Sequence, residues 1–223
     1  AKPIALPGVV ISWGVAASFL DYPPLNVPLS MPLALGTIVV FLAAMAFRKE
    51  PAEMLGALQA TLFPVLFVGL TMAHLMALRE LGGVTIGREL VFLLCLCVML
   101  SDTAAYYVGS AIGKRRIAPS LSPKKSLEGA LAGITASVLA AFAVRAWFWP
   151  DLAVAHAVLL GVLLAMAGIF GDLAESLFKR AAGVKDASAL LPGHGGILDR
   201  LDGLLFASPV LYYYYRFFLA GPA

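Results

Sequence analysis

The sequence has little charge. Lysine, arginine, aspartate and glutamate together make up 13% of its 223 residues, which is about half the share found in soluble domains. Hydrophobic residues make up 61%, and the mean hydropathy is +0.91. This composition excludes a soluble globular domain and predicts an integral membrane protein.

Cysteine is also scarce. The two cysteines, Cys95 and Cys97, stand two residues apart in an apolar run. On a helix their side chains point away from each other, so no disulfide framework is predicted. We interpret both as small buried hydrophobic residues. The first 27 residues also lack the basic start and cleavage site of a signal peptide.

Long apolar runs dominate the chain, and each is close to the ~20 residues that cross a bilayer as a helix. Runs of this length are not the alternating strands of a membrane barrel. We therefore predict an all-α fold, a polytopic integral membrane bundle with about seven transmembrane helices. The runs are residues 4–20, 28–47, 54–77, 89–112, 129–149, 152–175 and 203–220.

The basic residues between these runs predict the orientation of the bundle. They form three groups, within residues 48–49, 114–125 and 179–200, and two runs separate each group from the next. All three groups therefore lie on one side, which the positive-inside rule makes the cytoplasmic side. The polar segments that carry these groups then have access to cytoplasmic nucleotides.

Charge is concentrated in residues 171–203. On a helix, the spacing of Asp172, Glu175, Ser176 and Lys179 places all four side chains on one face. Further along is a glycine-rich turn, which lets a ligand approach the main chain. The charged residues of the segment are Asp172, Glu175, Lys179, Arg180, Lys185, Asp186, Asp199, Arg200 and Asp202, and His194 lies in the turn.

Such a segment is suited to a divalent cation and phosphate groups. Hard cations such as Mg²⁺ take oxygen ligands and usually share them with substrate phosphates. Lysine and arginine neutralise the remaining phosphate charge. The alternative is a solvated loop in which these acids and bases pair only with each other.

A second polar stretch covers residues 101–129. Asp102 lies within an apolar run, where a carboxylate costs about 2.5–3.5 kcal/mol and usually faces a protein interior or a wet cavity. It either lines the polar site or pairs with a base such as Arg145. Lys125 and Ser126 follow a proline turn and are suited to phosphate contact. The basic run at residues 114–116 has an alternative role as an anchor to anionic headgroups.

Both stretches resemble one family, the phosphatidate cytidylyltransferases or CDP-diacylglycerol synthases. The first resembling segment has the run Asp-Thr-x-Ala-Tyr from Asp102, then Gly-Lys, then Ser-Pro-x-Lys-Ser-x-Glu-Gly with Lys125 and Ser126. The second reads Ser176-x-x-Lys179-Arg180, Lys185-Asp186 and His194-Gly195-Gly196-x-x-Asp199-Arg200-x-Asp202. Together they cover residues 101–203.

The resemblance implies an enzyme, a nucleotidyltransferase that makes CDP-diacylglycerol and pyrophosphate from CTP and phosphatidic acid in phospholipid biosynthesis. It also implies Mg²⁺ as cofactor, with a second metal ion as an option, and a homodimer. The expected partners are CTP, phosphatidic acid and membrane lipid, with no nucleic acid. We expect a multi-pass protein of the bacterial inner (cell) membrane, with its active site facing the cytoplasm.

On this basis each polar residue receives an expected role. The metal ligands are Asp172 and Asp199, with Glu175 and Asp202 as further ligands or orienting groups. The residues expected to be catalytic are Asp172, Lys179, Arg180, Lys185 and Asp199. Those expected to bind substrate are Asp102, Lys125, Ser126, Glu175, Ser176, His194, Gly195, Gly196, Arg200 and Asp202.

We expect two regions, N-terminal transmembrane helices at residues 1–100 and a catalytic membrane region at 101–223 with cytoplasmic loops 114–128 and 171–203. Further N-terminal apolar segments are expected to precede residue 1, because the resembling family carries them. Two other functions stay open. One is a different lipid or polyprenol nucleotidyl- or phosphotransferase, although the DG-x-x-AR motif of CDP-alcohol phosphotransferases is absent. The other is an ion-coupled transporter, although no symmetric halves are seen.

Overall fold

The computed structural model describes residues 2–19, 27–184, 187–188 and 196–220. The chain divides into two compact units, Ala1–Glu80 and Leu81–Ala223.

The first unit is helical. It contains α1 (Ala5–Ala17), α2 (Ser30–Phe47), α3 (Pro51–Pro64), a π-helical segment (Val65–Leu70) and α4 (Thr71–Glu80). A core of small and branched side chains holds these helices together, formed by Ile11, Val15, Val40, Val65 and Ala73.

One long helical stretch runs from Pro51 to Glu80 through α3, the π-helical segment and α4. Pro51 occupies its first turn, where the missing N–H of proline costs nothing. Pro64 lies in the interior, directly before the π-helical segment. A proline there removes a donor from the helical ladder, and a local π turn is one way in which a helix accommodates such a break.

The second unit carries four long helices and a small hairpin. Its elements are α5 (Gly83–Ile112), β1 (Arg116–Ala118), β2 (Ser122–Ser126), α6 (Leu127–Trp147), α7 (Val154–Ala181), α8 (Leu198–Tyr214) and a π-helical segment (Tyr215–Leu219). The expected boundary between residues 100 and 101 falls inside α5. The two compact units divide between Glu80 and Leu81, so the helix that carries Asp102 belongs to the second unit. The expected division of the chain into two functional regions stays a prediction.

The predicted all-α membrane architecture is confirmed, because every one of the apolar runs is helical over most of its length. Within the described residues, five helices are long and apolar enough to cross a membrane, namely Ser30–Phe47, Pro51–Glu80, Thr85–Ile112, Leu127–Trp147 and Val154–Ala181. The first and last runs form shorter helices, α1 with 13 residues and α8 with 17.

The helices of the second unit pack as antiparallel neighbours at glycine positions. A Cβ added to Gly133 on α6 would lie 2.8 Å from Ser101 Oγ on α5. One added to Gly161 on α7 would lie 2.6 Å from the Cα of Val138 on α6. One added to Gly171 would lie 2.5 Å from the carbonyl oxygen of Asp202 on α8. Small residues of this kind let membrane helices approach each other closely.

The β-hairpin between α5 and α6 is a feature that the sequence analysis did not predict. Its two short strands pair antiparallel, with Arg116 opposite Ser126 and Ala118 opposite Ser122, and an irregularity in between. Ser126 also caps α6, because its Oγ accepts a hydrogen bond from the backbone N–H of Gly129 at 3.2 Å. The hairpin therefore leads directly into the next membrane helix.

Two glycines on α7 give a matched test of this packing. In Gly161→Ala the new methyl group would meet the α6 backbone, which cannot rotate away, so we expect a loss of about 1–3 kcal/mol in stability. In Gly168→Ala the nearest atoms are Val98 methyl groups at 3.5 Å and beyond, which is ordinary contact. We expect that variant to unfold at the wild-type temperature or above, because alanine favours a helix by about 1 kcal/mol over glycine.

The measurement is thermal unfolding of the two purified variants in the same detergent. Equal unfolding temperatures would contradict the close α6–α7 approach.

Candidate active site

A polar cavity lies at the end of the second unit where α5 ends and α8 begins. Its volume is about 530 Å³. Helices α5, α6, α7 and α8 and both strands of the hairpin contribute to its wall. The lining residues are Asp102, Ala105, Tyr106, Gly109, Ser110, Arg116, Ile117, Ser122, Lys124, Lys125, Ser126, Gly129, Ala130, Ile169, Asp172, Asp199 and Asp202.

Three carboxylates converge beside this cavity. One ligand oxygen from each of Asp172, Glu175 and Asp202 lies within 4.8 Å of the other two. The i, i+3 spacing puts Asp172 and Glu175 on one face of α7. Asp202 reaches them from α8 because Gly171 allows the two helices to come close together.

Glu175 is the most deeply buried of the three, with 1% of its surface exposed. Its Oε2 accepts a hydrogen bond from Lys179 at 2.7 Å. Its Oε1 is buried and has no hydrogen-bond partner among the described residues. A buried carboxylate oxygen without a partner is costly unless a cation or a water molecule satisfies it.

The acids close to Asp202 affect its pKa. Burial raises the pKa of Asp202, and the nearby negative charge of Asp172 raises it further, to about 6. A carboxylate whose pKa is raised by a neighbouring acid in this way gains from a positive ion beside it. The donor set of three carboxylates fits a hard divalent cation.

Lys125 joins the hairpin to α7. Its Nζ lies 2.6 Å from Asp172 Oδ2 and donates a second hydrogen bond to the carbonyl of Ile169 at 3.3 Å. Ser176 donates to the other oxygen of Asp172 at 3.3 Å. The cavity therefore has an ammonium group directly beside its carboxylates, and the expected phosphate contact of Lys125 stays a prediction.

Lys179 joins α7 to the start of α8. Its Nζ lies 2.7 Å from both Glu175 Oε2 and Asp199 Oδ1. The other oxygen of Asp199 accepts the backbone N–H groups of Ala187 at 2.9 Å and Gly196 at 2.8 Å. Burial alone would raise the pKa of Asp199, but these hydrogen bonds outweigh it and lower the pKa to about 2.

Asp199 is thus fully engaged by donors from its own chain. The described residues place Glu175 and Asp202, which were expected as further ligands or orienting groups, around Asp172. The expected metal roles of Asp172 and Asp199 stay predictions.

The other expected site residues fall into three groups: those that line the cavity, those that are exposed away from it, and those outside the described residues. Asp102 lines the cavity on α5, while Arg145 donates to the carbonyl of Leu152 at the far end of α6, so the alternative Asp102–Arg145 pair is not formed. Arg180 and Arg200 are exposed, and neither is among the lining residues of the described chain. Lys185, His194 and Gly195 lie outside the described residues.

Five further polar residues of the described chain line the cavity without an expected site role of their own, namely Tyr106, Ser110, Arg116, Ser122 and Lys124. The two bases belong to the same basic loop as Lys125, so the sequence indicated the loop but not these two members. Tyr106 is the tyrosine of the Asp-Thr-x-Ala-Tyr run that begins at Asp102, and that run is the signal that could have identified it.

Comparison with known proteins shows the family of the chain. The model of the cytidylyltransferase family matches residues 2–218. The chain belongs to the cytidylyltransferase family. This confirms the resemblance that the two polar stretches indicated.

Relatives in this family include proteins named phosphatidate cytidylyltransferase. The one from Synechocystis sp. is 44% identical over 120 residues, which cover 53% of this chain and 40% of that protein. The one from Staphylococcus saprophyticus is 30% identical over 212 residues, covering 94% and 79%. A protein of Escherichia coli K12 named uncharacterized protein YnbB is 32% identical over 214 residues, covering 92% and 70%. The chain thus spans as little as 40% of a relative's length.

The Lys179 bridge in this family member can be tested by stability. In Lys179→Met, Glu175 and Asp199 would lose their shared cation, and removing one partner of a buried ion pair typically costs about 3–5 kcal/mol. The matched control is Arg180→Met, which changes the adjacent exposed residue and should stay within about 0.5 kcal/mol of wild type. Denaturation in mixed detergent micelles measures both. An effect of Lys179→Met no larger than that of the control would show that the bridge does not stabilise the fold.

Proposed function

We propose that this chain transfers a cytidylyl group from CTP to phosphatidic acid, giving CDP-diacylglycerol and pyrophosphate. The observation that carries the proposal is the cavity in which Lys125 contacts Asp172, beside the cluster of Asp172, Glu175 and Asp202, in a chain of the cytidylyltransferase family. Two of the relatives described above carry the name of this activity.

The location of the cavity suits a lipid substrate. It lies at one end of the helices α5, α6 and α7, which are long and apolar enough to span a membrane. An acceptor with two acyl chains could keep its tails in the bilayer while its phosphate enters between these helices. In the orientation that the basic loops predict, this end faces the cytoplasm, where CTP is available.

The chemistry needs no nucleophile from the protein. A phosphate oxygen of phosphatidic acid attacks the α-phosphorus of CTP and forms a new P–O–P bond. The bond from the α-phosphorus to the oxygen that bridges to the β-phosphorus breaks, and pyrophosphate leaves with that electron pair. The protein contributes by holding the two phosphates in line and by neutralising their charge.

Each group of the site has a place in this scheme. Lys125, with Arg116 and Lys124 on the same hairpin, binds phosphate oxygens and reduces the repulsion between two anionic substrates. Asp102 is the lining residue of α5 furthest from the end of that helix. Lys179 and Asp199 keep the end of α7 and the start of α8 together. The expected catalytic roles of Arg180 and Lys185 stay predictions, as do the expected substrate roles of His194, Gly195, Gly196, Arg200, Ser126 and Ser176.

A divalent cation, Mg²⁺ in our proposal, would be held by Asp172, Glu175 and Asp202. The unpartnered buried oxygen of Glu175 and the close approach of three carboxylates both fit such an ion. When bound, it supplies positive charge to phosphate oxygens. A second ion and a homodimer stay predictions from the family resemblance.

The reaction is tested by pyrophosphate release from purified protein in detergent–lipid micelles. We expect release with CTP, only when phosphatidic acid and Mg²⁺ are both present, and little with ATP, GTP or UTP. The product should carry both the cytidine label and the lipid label. Release with another nucleotide, or with a polyprenyl phosphate in place of phosphatidic acid, would replace this proposal with a different lipid nucleotidyltransferase.

The cation site is tested by Asp172→Asn and Asp202→Asn. We expect each variant to raise the Mg²⁺ concentration for half-maximal activity by about tenfold or more, since even residues that only support metal ligands change affinity by 10–100-fold. The matched acid is Asp199→Asn, which should lower the rate without shifting this concentration.

A second readout does not depend on activity. Mg²⁺ should raise the unfolding temperature of the wild type, because a ligand of the folded state stabilises it, and should do so less for Asp172→Asn. If Asp199→Asn reduced the Mg²⁺-dependent rise in unfolding temperature and Asp202→Asn did not, the ligands would be Asp172 and Asp199, the pair expected from the sequence.

A further inference from the structure

A carboxylate outside the metal cluster closes the base of the β-hairpin. Glu128, at the second position of α6, accepts the backbone N–H of Lys114 through Oε2 at 3.1 Å. The N–H of Arg115 lies 3.3 Å from its Oε1 and 3.2 Å from its Oε2. One side chain of α6 therefore binds two consecutive amides of the segment that follows α5.

We propose that Glu128 is a positioning residue, which holds the hairpin so that Lys125 stays against Asp172 in the cavity. The proposal rests on the proposed function for its kinetic consequence. It assigns to Glu128 a role that the reaction chemistry described above does not use.

The contacts around Glu128 form a closed neck. The backbone N–H of Leu127 donates to the carbonyl of Arg115 at 2.8 Å. Arg116 pairs with Ser126 across the strands, and the guanidinium of Arg116 donates to the carbonyl of Lys124 at 2.8 Å. The chain thus leaves α5 and returns to α6 through one narrow point, and Glu128 ties the two sides of that point together.

The neck determines where Lys125 can reach. Lys125 is three residues before Glu128, and the next residue, Ser126, is fixed as the N-cap of α6. The ammonium group of Lys125 must reach from the hairpin to α7 to lie 2.6 Å from Asp172 Oδ2. If the two sides of the neck separated, the hairpin could swing away from α7, and Lys125 would lose this contact although its own side chain was unchanged.

The two amides explain why this position calls for a carboxylate. Two oxygens can accept from two neighbouring donors at once, and bonds to a charged acceptor are the stronger kind. A glutamine offers one oxygen and brings an NH₂ group that would face an N–H donor. The helix dipole also favours a negative charge at the start of α6. This dipole effect is common to all helices and is not specific to the hairpin.

Glu53 provides a matched control for the helix effect. It also lies in the first turn of its helix, α3, and its side chain is exposed. Glu53→Gln removes an acid from a helix N-terminus without touching the neck. Any effect of Glu128→Gln that Glu53→Gln shares belongs to the helix dipole and not to the hairpin.

The first experiment measures hydrogen exchange of the backbone amides in the full chain, in detergent and without substrate. In Glu128→Ala, and less in Glu128→Gln, we expect peptides that contain Lys114 and Arg115 to exchange about 10- to 100-fold faster, as loss of a hydrogen bond to a charged group allows. In the Glu128 variants, peptides from α7 should exchange at the wild-type rate. In Glu53→Gln, the peptides that contain Lys114 and Arg115 should also exchange at the wild-type rate. Unchanged exchange at Lys114 and Arg115 would overturn the clamp itself.

The second experiment is a kinetic double-mutant cycle with Lys125→Met. We expect Glu128→Ala to lower kcat/KM for phosphatidic acid by about 10- to 100-fold, the cost of a small misplacement of a catalytic group. In the Lys125→Met background the same change should have almost no further effect, because Glu128 acts through Lys125. The loss in kcat/KM should also be split between a higher KM and a lower kcat in the same proportion in both single variants.

The outcomes separate the two levels of the proposal. If the effects of Glu128→Ala and Lys125→Met multiply, Glu128 is structural only, and the positioning role is wrong. If Glu128→Ala does not fold, Glu128→Gln replaces it in both experiments, with folding judged by the unfolding temperature. If the wild type releases no pyrophosphate with CTP, the proposed function fails and the positioning role falls with it, while the exchange result still decides the clamp.

Discussion

The site depends on a carboxylate that is buried at the end of a membrane helix. Glu175 has 1% of its surface exposed, and such a group is tolerated only when other groups offset its charge and satisfy its oxygens. Lys179 does this for one oxygen at 2.7 Å, and in turn needs Asp199 as a second partner. The end of α7 is therefore tied to the start of α8 through charge, and the remaining oxygen of Glu175 is buried without a hydrogen-bond partner among the described residues.

Close helix packing makes this arrangement possible. Side chains of aspartate are short, so Asp172 on α7 and Asp202 on α8 can meet only if the helix backbones approach each other. Gly171 provides that approach, since any Cβ there would lie 2.5 Å from the carbonyl oxygen of Asp202. The same reasoning applies where α5 crosses α6, at Gly109 and Gly129, beside the cavity wall. The glycines contribute no chemistry, but they set the distances between the groups that do.

Local patterns in the sequence predicted much of the site, and tertiary packing determined the rest. The i, i+3, i+7 spacing of Asp172, Glu175 and Lys179 is a property of one helix, so their common face was predictable. Which of Asp199 and Asp202 comes close to Asp172 was not predictable, because the two lie three residues apart and both can face α7. The answer depends on where α8 begins. Asp199 falls in its first turn, beside the amide of Gly196.

The hairpin was missed for a related reason. Strands of three and five residues give too short a pattern to detect in a sequence of long apolar runs. The helices, in contrast, were predictable because each apolar run is many turns long, and only their ends shifted.

The charges of the cavity are divided between two kinds of element. The carboxylates that would hold a cation come from the helices α7 and α8, whose backbones are fixed by packing on several sides. The bases Arg116, Lys124 and Lys125 come from the hairpin. A cation site requires oxygens at well-defined distances, which rigid helices provide. In the proposed reaction, the phosphate groups of two substrates would need bases that reach them from one side without passing through the bundle.

A short hairpin at the mouth of the bundle meets that need only if it does not move freely. An untethered loop would let its lysines point into water, where a charged ammonium is well solvated. The hairpin is instead fixed at both ends, by the neck between α5 and α6 and by the contact of Lys125 with Asp172. The helices thus determine where negative charge is held, and the tethered hairpin determines where positive charge meets it.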